Sequence, residues 1–179
     1  MIRLAALLVF VVAIAGCGGD ESSASEDYAN SVCSNLSEWV TDVQETIRSV
    51  TDAGLATSRE DIQAAYDQTK EATDALANDL EELGPPDTED GRQAKRELDG
   101  LATQLRQQLD MIQRALDSGA GITAIAAEVT AAVSAAANAV NTTYRDLRGL
   151  DPGGELRDAF ENSDECQSLR DQLDEIESS

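Results

Sequence analysis

Residues 94–116 read AKRELDGLATQLRQQLDMIQRAL, and this stretch decides the fold. Ala94, Leu98, Leu101, Leu105, Leu109, Ile112 and Leu116 recur in steps of three and four. Most positions between them are Lys, Arg, Glu, Asp or Gln. A spacing near 3.6 residues lines the apolar side chains along one side of a helix, and no period of two is present. Ser118-Gly119-Ala120-Gly121 makes the following turn, so the helix spans roughly Thr88 to Asp117. Gly91 and Gly100 weaken its first half.

The same period extends outward in both directions. Downstream, a helix over Ile122–Arg148 carries Ile122, Ile125, Val129, Val133, Ala136, Val140, Tyr144 and Leu147. Upstream, Arg59–Leu83 carries Ile62, Tyr66, Thr69, Thr73, Leu76, Leu80 and Leu83, with Ser58 as its cap and Gly84-Pro85-Pro86 as its stop. A first helix spans Glu26–Thr51 through Tyr28, Val32, Leu36, Trp39, Val43, Ile47 and Val50; Ser23 and Glu26 have capping-box spacing. Beyond Asp151-Pro152-Gly153-Gly154, a last helix spans Glu155–Ile176 through Leu156, Phe160, Leu169, Leu173 and Ile176. Asn162-Ser163-Asp164 leaves its continuity open. Long striped helices with short turns predict an all-α antiparallel bundle of four long helices plus a C-terminal helix that rises beside the first. Residues 27–179 read as one domain.

Composition removes several functions. The 179 residues hold 35 Asp plus Glu against 13 Lys plus Arg, no histidine, and a net charge of −22. Nucleic acid and anionic headgroups repel such a polyanion, so no nucleic-acid partner is expected. Without histidine the chain has no Ser-His-Asp or Cys-His triad and no histidine metal site. No Gly-rich phosphate loop is present, and aromatics are 3%, too few for a sugar-stacking surface. The expectation is a chain that is not an enzyme and needs no cofactor. The acid clusters Asp87-Thr88-Glu89-Asp90 and Asp174-Glu175-Ile176-Glu177 lack the calcium-loop pattern. They read as helix caps and tails, so no metal site is expected. Asn35-Leu36-Ser37 and Asn141-Thr142-Thr143 match the glycosylation sequon but fall inside helices.

The charge is uneven. Residues 20–53 hold eight acids and one base, and residues 151–179 hold ten acids and two bases. Between Gly119 and Tyr144 the only charge is Glu128, and ten of residues 120–139 are alanine. Such a helix is not an ordinary solvated one. Either it lies centrally, its small side chains letting neighbours pack closely, or its outer alanine face meets a partner or a second copy of the chain.

The N-terminus carries Arg3 and then an unbroken apolar run, Leu4–Ala15. As a helix that run would span about 18 Å, short of a bilayer core of about 30 Å, and it fits the apolar region of a secretory signal. Ile14-Ala15-Gly16-Cys17 resembles the lipobox of bacterial lipoproteins. That resemblance implies a signal peptide over residues 1–16, cleavage before Cys17, and a diacylglyceryl group on the Cys17 sulfur. Two acyl chains give stable anchoring. Residues 17–26 then read as the lipidated cysteine and a flexible polar tether. The implied place is the extracytoplasmic face of the cell membrane. The mature chain also resembles the small helical lipoproteins of actinobacteria and related high-GC bacteria, through Tyr28-Ala29-Asn30-Ser31-Val32-Cys33 and Asp164-Glu165-Cys166. That likeness implies no particular activity.

With Cys17 committed to lipid, Cys33 and Cys166 remain. Export to an oxidising compartment favours their pairing over two free buried thiols. In the expected bundle their heights differ by roughly 6 Å, so topology and disulfide agree. The functional expectation is a membrane-anchored lipoprotein that binds an envelope protein or acts as a scaffold. A second is an accessory that takes a small ligand or cation in the bundle or on its acidic face. An apolar pocket with a few convergent polar groups would favour the second reading, and a solid core with a flat alanine patch the first.

Overall fold

The computed structural model describes residues 20–53, 58–150 and 154–178. Its elements are α1 (Asp20–Ala53), α2 (Arg59–Glu82), α3 (Glu89–Asp117), α4 (Ile122–Arg148), α5 (Glu155–Asn162) and α6 (Asp164–Ser178). No strand occurs among the described residues.

The helix starts follow local chemistry. Ser58 caps α2 in a capping box: its hydroxyl accepts from the Asp61 N–H, and the Asp61 carboxylate accepts from the Ser58 N–H at 2.8 Å. Thr88 caps α3, its hydroxyl accepting from the Gly91 N–H at 2.9 Å. Gly91 is required there, because a Cβ would stand 2.1 Å from the Pro86 carbonyl oxygen. Gly119, at φ 71°, turns the chain from α3 into α4. At the same end Arg59 of α2 donates to the Leu116 carbonyl at 2.7 Å and to the Ala120 carbonyl, placing a cation on the carbonyl end of α3.

One boundary differs from the sequence reading, and a second, left open there, takes a definite form. The first helix starts at Asp20, not Glu26, so most of the expected tether over residues 17–26 is helical and Ser23–Glu26 is not a capping box. Ser25 is already buried. The C-terminal helix is two helices. Ser163 takes an extended conformation, φ −64° and ψ 133°, and its hydroxyl accepts from the Cys166 N–H at 3.2 Å. The serine thus ends α5 and caps α6.

Consecutive long helices pack side by side, α1 on α2, α2 on α3 and α3 on α4, while α5 and α6 lie along α1. The C-terminal pair runs parallel to α1: Phe160 meets Tyr28 edge-on with ring centroids 6.4 Å apart, and Cys166 bonds to Cys33 further along. The core has two clusters. The larger gathers Val32, Leu36, Leu80, Leu98, Leu105, Val140, Leu147, Phe160 and Leu169 around the cysteines. The smaller joins α2, α3 and α4 at the opposite end through Ile62, Tyr66, Leu109, Ile112, Leu116, Ile125 and Ala132. Every stripe residue named above for the third helix is buried.

Candidate functional site

Cys33 and Cys166 are fully buried and joined, with their Cα atoms 4.9 Å apart and 133 positions apart in sequence. Around them Tyr144 of α4 donates to the Cys166 carbonyl at 3.1 Å. The pair therefore ties α6 to α1 while Tyr144 holds the first turn of α6 against α4. This is a structural staple in the middle of the core.

The alanine-rich helix does not lie centrally. Only 17% of the most apolar window of α4 is buried inside the structure. Its buried residues, Ile125, Ala132, Ala136, Val140, Thr143, Tyr144 and Leu147, form one narrow line. Ala124, Ala126, Ala127, Ala131 and Thr130 are exposed. The reason lies in the neighbours: α3 packs along α4, whereas α5 and α6 touch it weakly and α1 hardly at all. The two large apolar side chains exposed among the described residues, Met111 at 39% and Ile122 at 44%, belong to this α3–α4 side of the molecule. Between the two helices a shallow hollow is lined by Met111, Arg114, Ala115, Ala120, Ala124 and Glu128.

The core also has a gap between its two clusters. An apolar crevice of about 80 Å³ is walled by Trp39 and Val43 of α1, Thr73 of α2, Leu105 and Gln108 of α3, Ala132 and Ala136 of α4, and Leu173 and Ile176 of α6. Trp39 donates its indole N–H to the Thr73 hydroxyl at 3.0 Å, and that hydroxyl donates to the Thr69 carbonyl at 2.8 Å. The Gln108 Oε1 is buried without a hydrogen-bond partner. Small side chains on α4 leave the gap: Ala132 and Ala136 stand where larger residues would close it. A threonine at a stripe position, as at Thr69 and Thr73, is the sequence signal of a polar group inside; nothing in the sequence marks Gln108.

Three tyrosines are pushed away from ionisation. Burial, helped by the negative charge of Asp99, pushes Tyr28 up to about 12, and its hydroxyl is buried without a partner. Burial also raises Tyr66 and Tyr144, the latter against the opposing effect of Arg148. Asp61 is lowered by the hydrogen bonds it accepts from Ser58. The first of the two acid clusters serves a helix end: Glu89 and Asp90 stand in the first turn of α3 behind the Thr88 cap. Among the described residues no group of three or more acids or cysteines is placed to hold a metal ion. Asn35 and Asn141 sit within α1 and α4.

Ile14, Ala15, Gly16 and Cys17 lie outside the described residues. The structure thus unites the two predicted cysteines Cys33 and Cys166, and adds the crevice and the exposed α4 face. No protein-family model, no curated protein and no solved structure matches the chain.

Proposed function

We propose that this protein is a lipid-anchored, extracytoplasmic lipoprotein whose helical domain works by protein contact, not by catalysis, with the outer face of α4 as the contact surface. The observation that carries the reading is a long helix, nearly free of charge between Gly119 and Tyr144, that leaves most of its apolar window uncovered. A long, nearly uncharged helix face left open in this way marks an interaction site. The lipobox-like Ile14-Ala15-Gly16-Cys17 supports the anchor, and the Cys33–Cys166 bond suits an oxidising compartment.

Two measurements test the reading in the native membrane. A clickable fatty acid should label the full chain and not its Cys17→Ser variant, which should leave the membrane fraction. Ala127→Glu with Ala131→Glu, both at exposed positions, should abolish chemical cross-links to α4 while leaving helicity intact. Label on the serine variant refutes the anchor, and unchanged cross-links refute the contact surface.

The crevice favours a second reading, a small apolar ligand held in the bundle. Its volume is roughly half the ~150 Å³ of an apolar cavity that takes up benzene, so a short alkyl group is the size that fits. Short-chain alcohols that raise the unfolding temperature of wild type but not of Ala136→Leu would support it; equal shifts in both would refute it.

A further inference from the structure

Given that the α4 face is a contact surface, we propose that its partner is a second copy of this chain, paired about a two-fold axis through the α3–α4 side. Charge selects the face. Two chains of net charge −22 repel one another, and α1, α2 and the C-terminal pair carry most of that charge. A basic partner would be drawn to those acidic helices and gains nothing from α4. The nearly uncharged α4 is where two polyanions approach at least cost.

Charge also sets the register. One cation, Arg114, and one anion, Glu128, line the same shallow hollow with Met111 and Ala124. Neither makes an ion pair among the described residues: the guanidinium donates to the Asp110 carbonyl of its own helix, and the Glu128 carboxylate has no hydrogen bond. A two-fold axis between copies sets each Arg114 opposite the other copy's Glu128, because a self-paired surface must be its own complement. From Ala124 to Thr142 the face runs about 27 Å along α4, and two adjacent helices are about 20 Å wide. That is about 500 Å² per copy and about 1,000 Å² in all, the low end for a specific interface. A lipid tether that confines the copies to one membrane plane compensates by raising their effective concentration.

The experiment places a photo-reactive residue at Ala131, exposed on this face, in the full chain in its own membrane. Ala132 is unsuitable because it is buried. The expected product is an adduct of twice the chain mass that contains this chain alone. Arg114→Glu or Glu128→Arg should each lower its yield about tenfold, the order expected of two symmetric exposed ion pairs, and the double exchange should restore it. Glu128→Arg is the discriminating arm: it makes the chain less negative, so general repulsion alone would raise the yield. Where a charge reversal lowers helicity, Arg114→Gln and Glu128→Gln replace it, with a smaller loss expected. Single exchanges without effect, or a double exchange without rescue, overturn the pairing. An adduct with another protein or with lipid overturns the second copy; another protein leaves the contact reading standing. No adduct from Ala131 or from Ala124 overturns both.

Discussion

Breaking the Cys33–Cys166 bond should cost this protein more than any single side-chain change. The bond closes a loop with a sequence separation of 133. Chain-entropy reasoning assigns such a closure about 17 cal/mol/K, or about 5 kcal/mol at 25 °C. Stability of a domain this size is commonly only about 5–15 kcal/mol. Reduction alone leaves both sulfurs in the core, so it isolates the cross-link from packing; Cys33→Ala with Cys166→Ala adds the loss of two fully buried sulfurs. The assay is urea unfolding with and without reductant, followed by fluorescence of Trp39, the single tryptophan, and by helicity. With a slope of about 2 kcal/mol/M, the midpoint should fall by about 2.5 M. The loss should be uneven. The 15-residue α6 is too short to persist alone, so its amides should exchange first on reduction while α2, α3 and α4 stay protected. A midpoint shift below about 0.5 M at an unchanged slope would refute this account of the bond.

Three further outcomes follow from the same geometry. Thr73→Val removes the acceptor of the buried Trp39 N–H and should cost about 1–3 kcal/mol, with a change in the Trp39 emission maximum; an unchanged spectrum and midpoint would show that the hydrogen bond is not made. Tyr28→Phe deletes a buried hydroxyl without a partner and should be neutral or stabilising by about 1 kcal/mol in thermal unfolding. Because the folded state holds Tyr28 at about 12, above the ordinary value near 10, its contribution is full below pH 10 and is lost as pH rises from 10 toward 12. Wild type should therefore destabilise across that window more steeply than Tyr28→Phe; parallel curves would remove Tyr28 as the cause. Gly91→Ala drives a methyl group into the Pro86 carbonyl and should cost about 1–3 kcal/mol or more by urea unfolding, whereas Gly100→Ala, open to space, should be neutral or stabilising.

Local chemistry made much of this molecule legible from sequence. The steps of three and four in Leu98–Leu116 lead to a helix whose apolar line is buried, because one buried stripe is all that such a period demands. Ser58 and Thr88 act within one turn of their own positions, so their caps need no knowledge of the rest of the fold. The meeting of Cys33 and Cys166 follows from helix order, which short turns constrain. Only the tertiary structure decided which faces stay uncovered. Periodicity says that α4 has a buried line, and not which helix lies beyond its other side. Alanine adds no information, since its methyl group gains little on burial and costs little on exposure. The crevice beside Trp39, the unpartnered Gln108 oxygen and the nearness of Arg114 to Glu128 all arise between helices distant in sequence or from the spacing of their packing. The crevice depends on how far α6 reaches along α1 and how little it touches α4, and no stretch of sequence read alone contains that distance.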